Sequence, residues 1–285
     1  MRFRVFHRTS YLYRSPVRDS YNEVRLRPAT NDPLRLEFSL LNVNPPVRLQ
    51  HFRDGWFNYV HFFQIPEAHS SLSIESQITV RTSTPYADND PRGVDLESLR
   101  EEPESDEMLQ PFKSTSKYVE ESPEAWRLGI DICDGIRGVF ENAEAIMEHI
   151  HENWLYAPNT TSASTHMREV LESKRGVCQD FTHLMIGLCR TRGIPARYVS
   201  GYLYNGPHSH LRGAQASHAW CEVYVPGKGW FGLDPTNNTI ADERHIKIAT
   251  GRDYHDAAPI SGYFDGPPAA TAALQVDLTV ERLDF

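Results

Sequence analysis

Apolar residues at 181, 184, 185, 188 and 189 (Phe, Leu, Met, Leu and Cys) recur at the spacing of one helical face. They predict an amphipathic helix that opens within Gly176-Val177-Cys178-Gln179-Asp180-Phe181. Gly193 stands where a left-handed residue ends a helix, and Pro195 follows it. The first 82 residues carry a different rhythm. Runs rich in Val, Phe, Tyr and Leu (3–7, 24–27, 36–43, 59–65 and 72–80) are separated by Ser15-Pro16, the stretch from Pro28 to Pro33, Pro45-Pro46 and Asp54-Gly55. In the last run Ile74, Ser76, Ile78 and Val80 alternate with Glu75, Gln77, Thr79 and Arg81. An antiparallel, sandwich-like β-domain over 1–82 is predicted.

From 83 to 122 Pro, Asp, Glu and Ser dominate, with an acidic run from Glu101 to Glu107. This reads as a solvated linker. Helical signals open the remainder, 123–285. Ser122-Pro123-Glu124 has an N-cap, a first-position proline and an acid in the first turn. Asn142 is expected to cap a second helix bearing Ile146, Met147, Ile150 and Trp154, and Ser164 or Thr165 to start a short third over Val170-Leu171. Beyond the cysteine helix come strands at 197–204, 219–225 and 230–233. In a last strand, 274–283, Leu274, Val276, Leu278 and Val280 alternate with Gln275, Asp277, Thr279 and Glu281. Helices followed by an antiparallel sheet make an α+β core.

Composition narrows the function. A hydrophobic fraction of 40% and an aromatic fraction of 11% are those of a globular chain. Asp and Glu number 38 against 29 Lys and Arg, for a formal charge of −9. That balance argues against a nucleic acid or an anionic membrane as partner. No run approaches the ~20 apolar residues of a membrane span, and Met1 to Arg8 lacks the apolar block of a signal peptide, so a cytoplasmic location is expected. The four cysteines form no CxxC, and no HExxH or His-x3-His lies near them, so neither a structural metal nor a cofactor is expected. Cys133, Cys189 and Cys221 fall on apolar faces and read as core. His51, His61 and His69 are scattered and read as surface or cross-strand residues.

Cys178 differs by position. A thiol on the first turn of a buried helix meets unpaired backbone N–H groups and the positive end of the helix dipole, which favour thiolate. On its own it could still be one more small hydrophobe. Forty residues later Ser217 to Val225 reads as a strand, Pro226-Gly227-Lys228-Gly229 as a turn, and Trp230 to Thr236 as the return. His218 lies eight residues before Pro226 and Asp234 eight after it. A hairpin centred on Pro226 sets the two opposite, with Cβ atoms ~4.5–5.5 Å apart. A carboxylate there fixes the tautomer of the imidazole and leaves its other nitrogen to a nucleophile. A His–Asp pair can also be an ordinary solvated cross-strand pair. Joined to a helix-start cysteine, it is the equipment of thiol acyl transfer.

Four stretches, Gly176 to Phe181, Gly193 to Tyr202, His218 to Tyr224, and Gly229-Trp230 through Asp234-Pro235-Thr236, resemble the bacterial transglutaminase-like superfamily. Gly251-Arg252-Asp253-Tyr254 is similar to a segment of its bacterial branch, and the N-terminal strands resemble the β-rich domain that precedes the core there. The resemblance implies a papain-like core with Cys178 as nucleophile, His218 as general base and acid, and Asp234 orienting His218. Animal relatives place a tryptophan upstream of the cysteine as a second oxyanion donor. Here that segment carries Thr161, Thr165 and His166.

The implied chemistry is attack of Cys178 on a carboxamide or peptide carbonyl, giving a thioester that water or an amine then resolves. The partner is thus a peptide or other amide substrate. Hydrolysis is favoured over cross-linking, since nothing marks a second, amine-binding site. A non-catalytic binding module on the same fold is the reading from another class, and arylamine acetyl transfer fits the motif context poorly. No EF-hand spacing supports calcium dependence. Gln179 and Trp220 are the remaining candidates, the first for substrate or oxyanion contact, the second for shielding the site or filling the core. Asp180 either caps its own helix or pairs with Arg197. His208 and His210, in a Gly/Pro loop, are candidates for a lid or merely exposed.

Overall fold

The computed structural model describes residues 1–29, 33–84, 86, 89–100, 107–206, 212, 217–267 and 270–283. Its N-terminal part is built on one long strand, β1 (Arg2–Arg27). The four others there are β2 (Leu34–Asn44), β3 (Gln50–Arg53), β4 (Tyr59–Ile65) and β5 (His69–Thr82). The first half of β1 pairs with β5, and β2 pairs with β5 beyond it. The second half pairs with β4, and β3 lies outside β4. Val24, Leu26, Phe63 and Ile65 from one half pack against Val43, Leu72 and Ile74 from the other, which is the sandwich-like core expected. Ser15-Pro16 is not a turn. It lies within β1, where the pairing with β5 breaks between Leu12 and Val17, and a proline is tolerated where no ladder bond is required of it. His51 and His61 face each other across β3 and β4.

The described residues between Thr82 and Ser122 do not behave as a solvated linker. Leu109, Phe112, Tyr118 and Val119 are buried, and Val94, Leu96 and Leu99 pack on the core. Leu96 N–H donates to the Arg137 carbonyl and Val139 N–H to that of Val94. The partly buried Arg190 guanidinium donates to the carbonyls of Phe112 and Ser114 and holds the segment's end. The apolar residues spaced between the acids dictate this docking. Glu101 to Asp106 lie outside the described residues.

Helix α1 (Pro123–Ile132) is capped by Ser122, whose side chain accepts from Ala125 N–H at 3.0 Å, as read. Helix α2 (Val139–Asn153) begins earlier than expected. Asn142 is buried inside it and donates its amide to the Ile136 and Gly138 carbonyls. Short β6 (Leu155–Tyr156) leads to α3 (Met167–Ser173), which is capped at His166 rather than at Ser164 or Thr165: Glu169 turns back to the His166 N–H at 3.0 Å. Then β7 (Arg175–Gly176), parallel to β6, delivers the chain to α4 (Cys178–Thr191). Gly193 ends that helix with φ +76°.

The strands β8 (Ala196–Leu203), β9 (His218–Val225), β10 (Gly229–Asp234), β11 (Thr239–Ile240) and β12 (His245–Gly251) form one antiparallel sheet in the order β11-β10-β9-β8-β12. Phe181, Leu184, Met185 and Leu188 of α4 share an apolar cluster with Ala219, Cys221, Val223, Phe231 and Leu233. The architecture is α+β. Phe3, Val5, Ile78 and Val80 pack on Tyr202, Ile246 and Ile248 and join the two parts of the chain. Asn58 adds two hydrogen bonds to the Thr250 backbone, at 2.7 and 2.8 Å.

After α5 (Tyr254–Ala257) the chain returns to the first part. Strands β13 (Ile260–Asp265) and β14 (Thr271–Arg282) both pair with β1, β14 from Phe3↔Arg282 to Tyr13↔Thr271. The last strand therefore belongs with residues 1–82 and not with the sheet of 123–285, as its position after that sheet suggests. The Gly251-Arg252-Asp253-Tyr254 segment is structural. Asp253 accepts from Tyr118 N–H at 2.8 Å and from His255 N–H at 2.8 Å.

Candidate active site

Cys178, His218 and Asp234 come together at the start of α4 and the end of the five-stranded sheet. Asp180 determines how α4 begins. Its Oδ2 accepts from Val177 N–H at 2.7 Å and from Thr161 Oγ1 at 2.6 Å. Of the two readings of Asp180, capping is the one found; Arg197 pairs instead with Glu222. Gly176 makes room for this cap, because a Cβ there would lie 2.6 Å from Asp180 Cβ. Cys178, half-buried at the first helical position, has Sγ 4.0 Å from the Ser217 carbonyl, next to His218. Cys133, Cys189 and Cys221 are buried, as read.

Ala219, Cys221 and Val223 join the cluster under α4, so strand alternation turns His218, Trp220 and Glu222 to the other face. The hairpin is centred on Gly227, not Pro226: pairs run from Gly229↔Val225 to Leu233↔Cys221. One further step puts Asp234 opposite Trp220, two residues from the expected partner. The side-chain period of two keeps Asp234 on the same face as His218, and a diagonal neighbour remains within reach. His218 Nε2 lies 2.8 Å from Asp234 Oδ2, both side chains fully buried. The other nitrogen, Nδ1, is buried with no nitrogen or oxygen hydrogen-bond partner among the described residues.

Burial alone lowers the His218 pKa. The Asp234 charge and hydrogen bond, with the nearby Cys178 thiol, outweigh it and push the pKa up to about 10. Burial likewise raises the Asp234 carboxyl, but His218 first and His245 after it hold it well below the usual range. Asp234 is also held by backbone and amide donors. Oδ1 accepts from Thr236 N–H at 2.9 Å, and Oδ2 from Asn237 Nδ2 at 2.7 Å.

Gln179 turns its amide to the Ala163 carbonyl at 3.2 Å. Trp220 is buried between Val199 and Ala241, its ring 6.2 Å from that of His218, so it is both a wall of the site and part of the core. Thr165 and His166 serve local turns and the α3 cap. His208 and His210 lie outside the described residues. Behind the site a cavity of about 460 Å³ is lined by Trp56, Trp220, Glu222, Asp242, His245 and Lys247 among others, from both parts of the chain.

Two neighbours of Asp234 escaped the sequence reading. Asn237 is signalled by the Asp-Pro-Thr-Asn turn that follows β10. His245 is signalled only as a polar residue entering an apolar strand, three residues after Asp242. Among the described residues the donor atoms of His218, Asp234 and His245 all lie within 4.8 Å of one another. A metal ion there would compete with the His218–Asp234 hydrogen bond. No described helix is long and apolar enough to cross a membrane.

Residues 128–235 match the transglutaminase-like superfamily, and residues 3–81 match the bacterial transglutaminase-like N-terminal region. The uncharacterized protein ML0607 of Mycobacterium leprae is 32% identical over 281 residues, 98% of each chain. A protein-glutamine gamma-glutamyltransferase of Pseudomonas aeruginosa is 32% identical over 146 residues, 46% of this chain and 22% of that one. A Cytophaga hutchinsonii crystal structure, described provisionally as that of a cysteine protease, superposes with a TM-score of 0.77 at 26% identity, covering 100% of this chain and 92% of the other. With a core and an N-terminal region that both match, the chain belongs to the transglutaminase-like superfamily in its bacterial form.

Proposed function

We propose that this protein is a cysteine-dependent acyl-transfer enzyme that hydrolyses amide or peptide bonds through a thioester on Cys178. The observation that carries this reading is His218: its Nε2 is bound to a buried carboxylate, and its Nδ1 has no other hydrogen-bond partner among the described residues in a site shared with Cys178. With its pKa near 10 the imidazole holds its proton at neutral pH, which suits it to protonate a leaving group.

In the proposed reaction Cys178 Sγ attacks the carbonyl carbon and His218 Nδ1 holds the thiol proton. The oxyanion forms beside the Cys178 backbone N–H, which has no intrahelical acceptor at a first helical position. The C–N bond breaks as His218 passes the proton to the leaving amine or ammonia. Water then attacks the thioester, giving a proton to His218, and the C–S bond breaks to return Cys178. The similarity to the Pseudomonas aeruginosa gamma-glutamyltransferase favours a second acceptor, an amine in place of water.

Hydroxylamine distinguishes these outcomes. A pooled peptide library incubated with the protein and hydroxylamine should yield hydroxamates, absent with Cys178→Ala, and free acids when hydroxylamine is omitted. Products that persist with Cys178→Ala would overturn the thioester. Amine-linked peptides formed in preference to acids would make cross-linking the main reaction.

A further inference from the structure

The proposed chemistry leaves a second buried histidine without a task. His245, the first residue of β12, brings Nε2 to 3.5 Å from Asp234 Oδ2, the oxygen that also faces His218. Its Nδ1 lies 3.1 Å from the Asp242 backbone nitrogen and 3.1 Å from Asp242 Oδ1. Asp242 accepts in turn from Arg244 Nε at 2.8 Å. Titratable groups of alternating type therefore run His218, Asp234, His245, Asp242, Arg244. The first two side chains are fully buried and the last two about one third exposed, Asp242 lining the cavity behind the sheet.

His245 stands between two carboxylates, with Nδ1 at Asp242 Oδ1 and Nε2 toward Asp234 Oδ2. Burial opposes a charge on the ring, but the two carboxylates outweigh it and raise its pKa. The charged ring carries protons on both nitrogens and points its Nε2–H at Asp234. At 3.5 Å this is longer than a formed hydrogen bond, and it acts on the carboxylate electrostatically. The ring itself is locked. Trp220 packs edge-on against it at 5.2 Å, and the glycines at 201 and 232 clear the space for the indole: a Cβ at Gly201 would meet Trp220 Cη2 at 2.7 Å.

We propose that His245 is a positioning residue, which holds the Asp234 carboxylate in the orientation that serves His218 and thereby keeps Nδ1 available to Cys178. This rests on the acyl-transfer reading of the same site. His245 touches neither the thiol nor the reacting carbonyl in that scheme. It acts through Asp234.

The test needs no substrate. The rate at which iodoacetamide alkylates Cys178, followed by peptide mapping, is compared in wild type, His218→Ala, His245→Gln and His245→Asn. A glutamine amide nitrogen reaches the place of Nε2, whereas an asparagine reaches only that of Nδ1. His245→Gln should stay within about threefold of wild type and His245→Asn should fall roughly 10–100-fold, the usual cost of losing an outer partner. A filling role in the core predicts no such split, so equal rates in the two variants, fast or slow, overturn the proposal. If His218→Ala slows alkylation and His245→Asn does not, the positioning role fails alone. If His218→Ala has no effect, the acyl-transfer reading fails and the positioning role with it.

Discussion

Asp234 reaches His218 along a diagonal. The β9–β10 register places Leu233 opposite Cys221, yet Asp234 Oδ2 lies 2.8 Å from His218 Nε2. The carboxylate accepts at that nitrogen and so keeps the proton there, leaving Nδ1 free to take one from a thiol. Asp234→Asn reverses this, because its amide donates to Nε2 and drives the proton to Nδ1. The rate of the Cys178-dependent reaction should fall by roughly 10³–10⁴, the scale of a wrong tautomer in a Ser-His-Asp triad. A loss under tenfold would show that Asp234 does not orient the ring.

The same pair sets a pH limb. Burial opposes the charge on His218, but Asp234 and Cys178 raise its pKa to about 10. A step that needs the imidazolium is fully present below the folded pKa and is lost as pH rises through about 10. In Asp234→Asn the alkaline limb of the Cys178-dependent turnover, which needs the proton for the leaving group, should move down toward the ordinary histidine value of ~6.5. An unmoved limb would separate the profile from His218.

Glu222, buried on the face shared with His218, offers a stability test away from the chemistry. It accepts from Arg197 Nε at 2.8 Å and from Lys247 Nζ at 2.7 Å. Burial raises its pKa, but the two cations, Lys247 first, bring it down to about 2. A depressed carboxylate contributes stability that is present above its unfolded pKa and lost as pH falls toward the folded one. The shift corresponds to roughly 3 kcal/mol at pH 7. Denaturant unfolding should find Glu222→Gln less stable by about that amount at pH 7, with the gap closing between pH 4.5 and 2.

Gly176 precedes the Cys178 helix for a steric reason. A Cβ there would meet Asp180 Cβ at 2.6 Å, an atom close to backbone that cannot swing aside. Gly176→Ala should cost roughly 1–3 kcal/mol and slow Cys178 alkylation by displacing the Asp180 cap. Stability and reactivity both unchanged would mean that the cap does not set the position of Cys178.

The parts legible in the sequence are those fixed by local chemistry. The stripe from Phe181 to Cys189, Ser122 before Pro123 and Gly193 after the helix each carry their own structural cause. Long-range pairing carries none. Alternation at Leu274 to Val280 shows a strand but not its partner, and β14 crosses back to β1. Acid runs obscure the apolar residues that dock 94–99 and 109–119 onto the core. Asn142 carries capping propensity, whereas its amide is needed inside to meet the Ile136 and Gly138 carbonyls. The proximity of His218 and Asp234 survived an error in the turn because a shift of two residues preserves the face. His245 comes from a strand two places away in the sheet, beyond β8, a neighbour no local pattern announces.

The central claim is that Cys178 is the activated thiol and that His218 activates it. Brief iodoacetamide treatment at pH 6, with peptide mapping of all four cysteines, tests it most directly in wild type and His218→Ala. Modification should be confined to Cys178 in wild type and slowed roughly tenfold or more in the variant, with Cys133, Cys189 and Cys221 unlabelled in both. Uniform slow labelling, or a Cys178 rate indifferent to His218, would contradict it and leave a binding module on this fold as the better description.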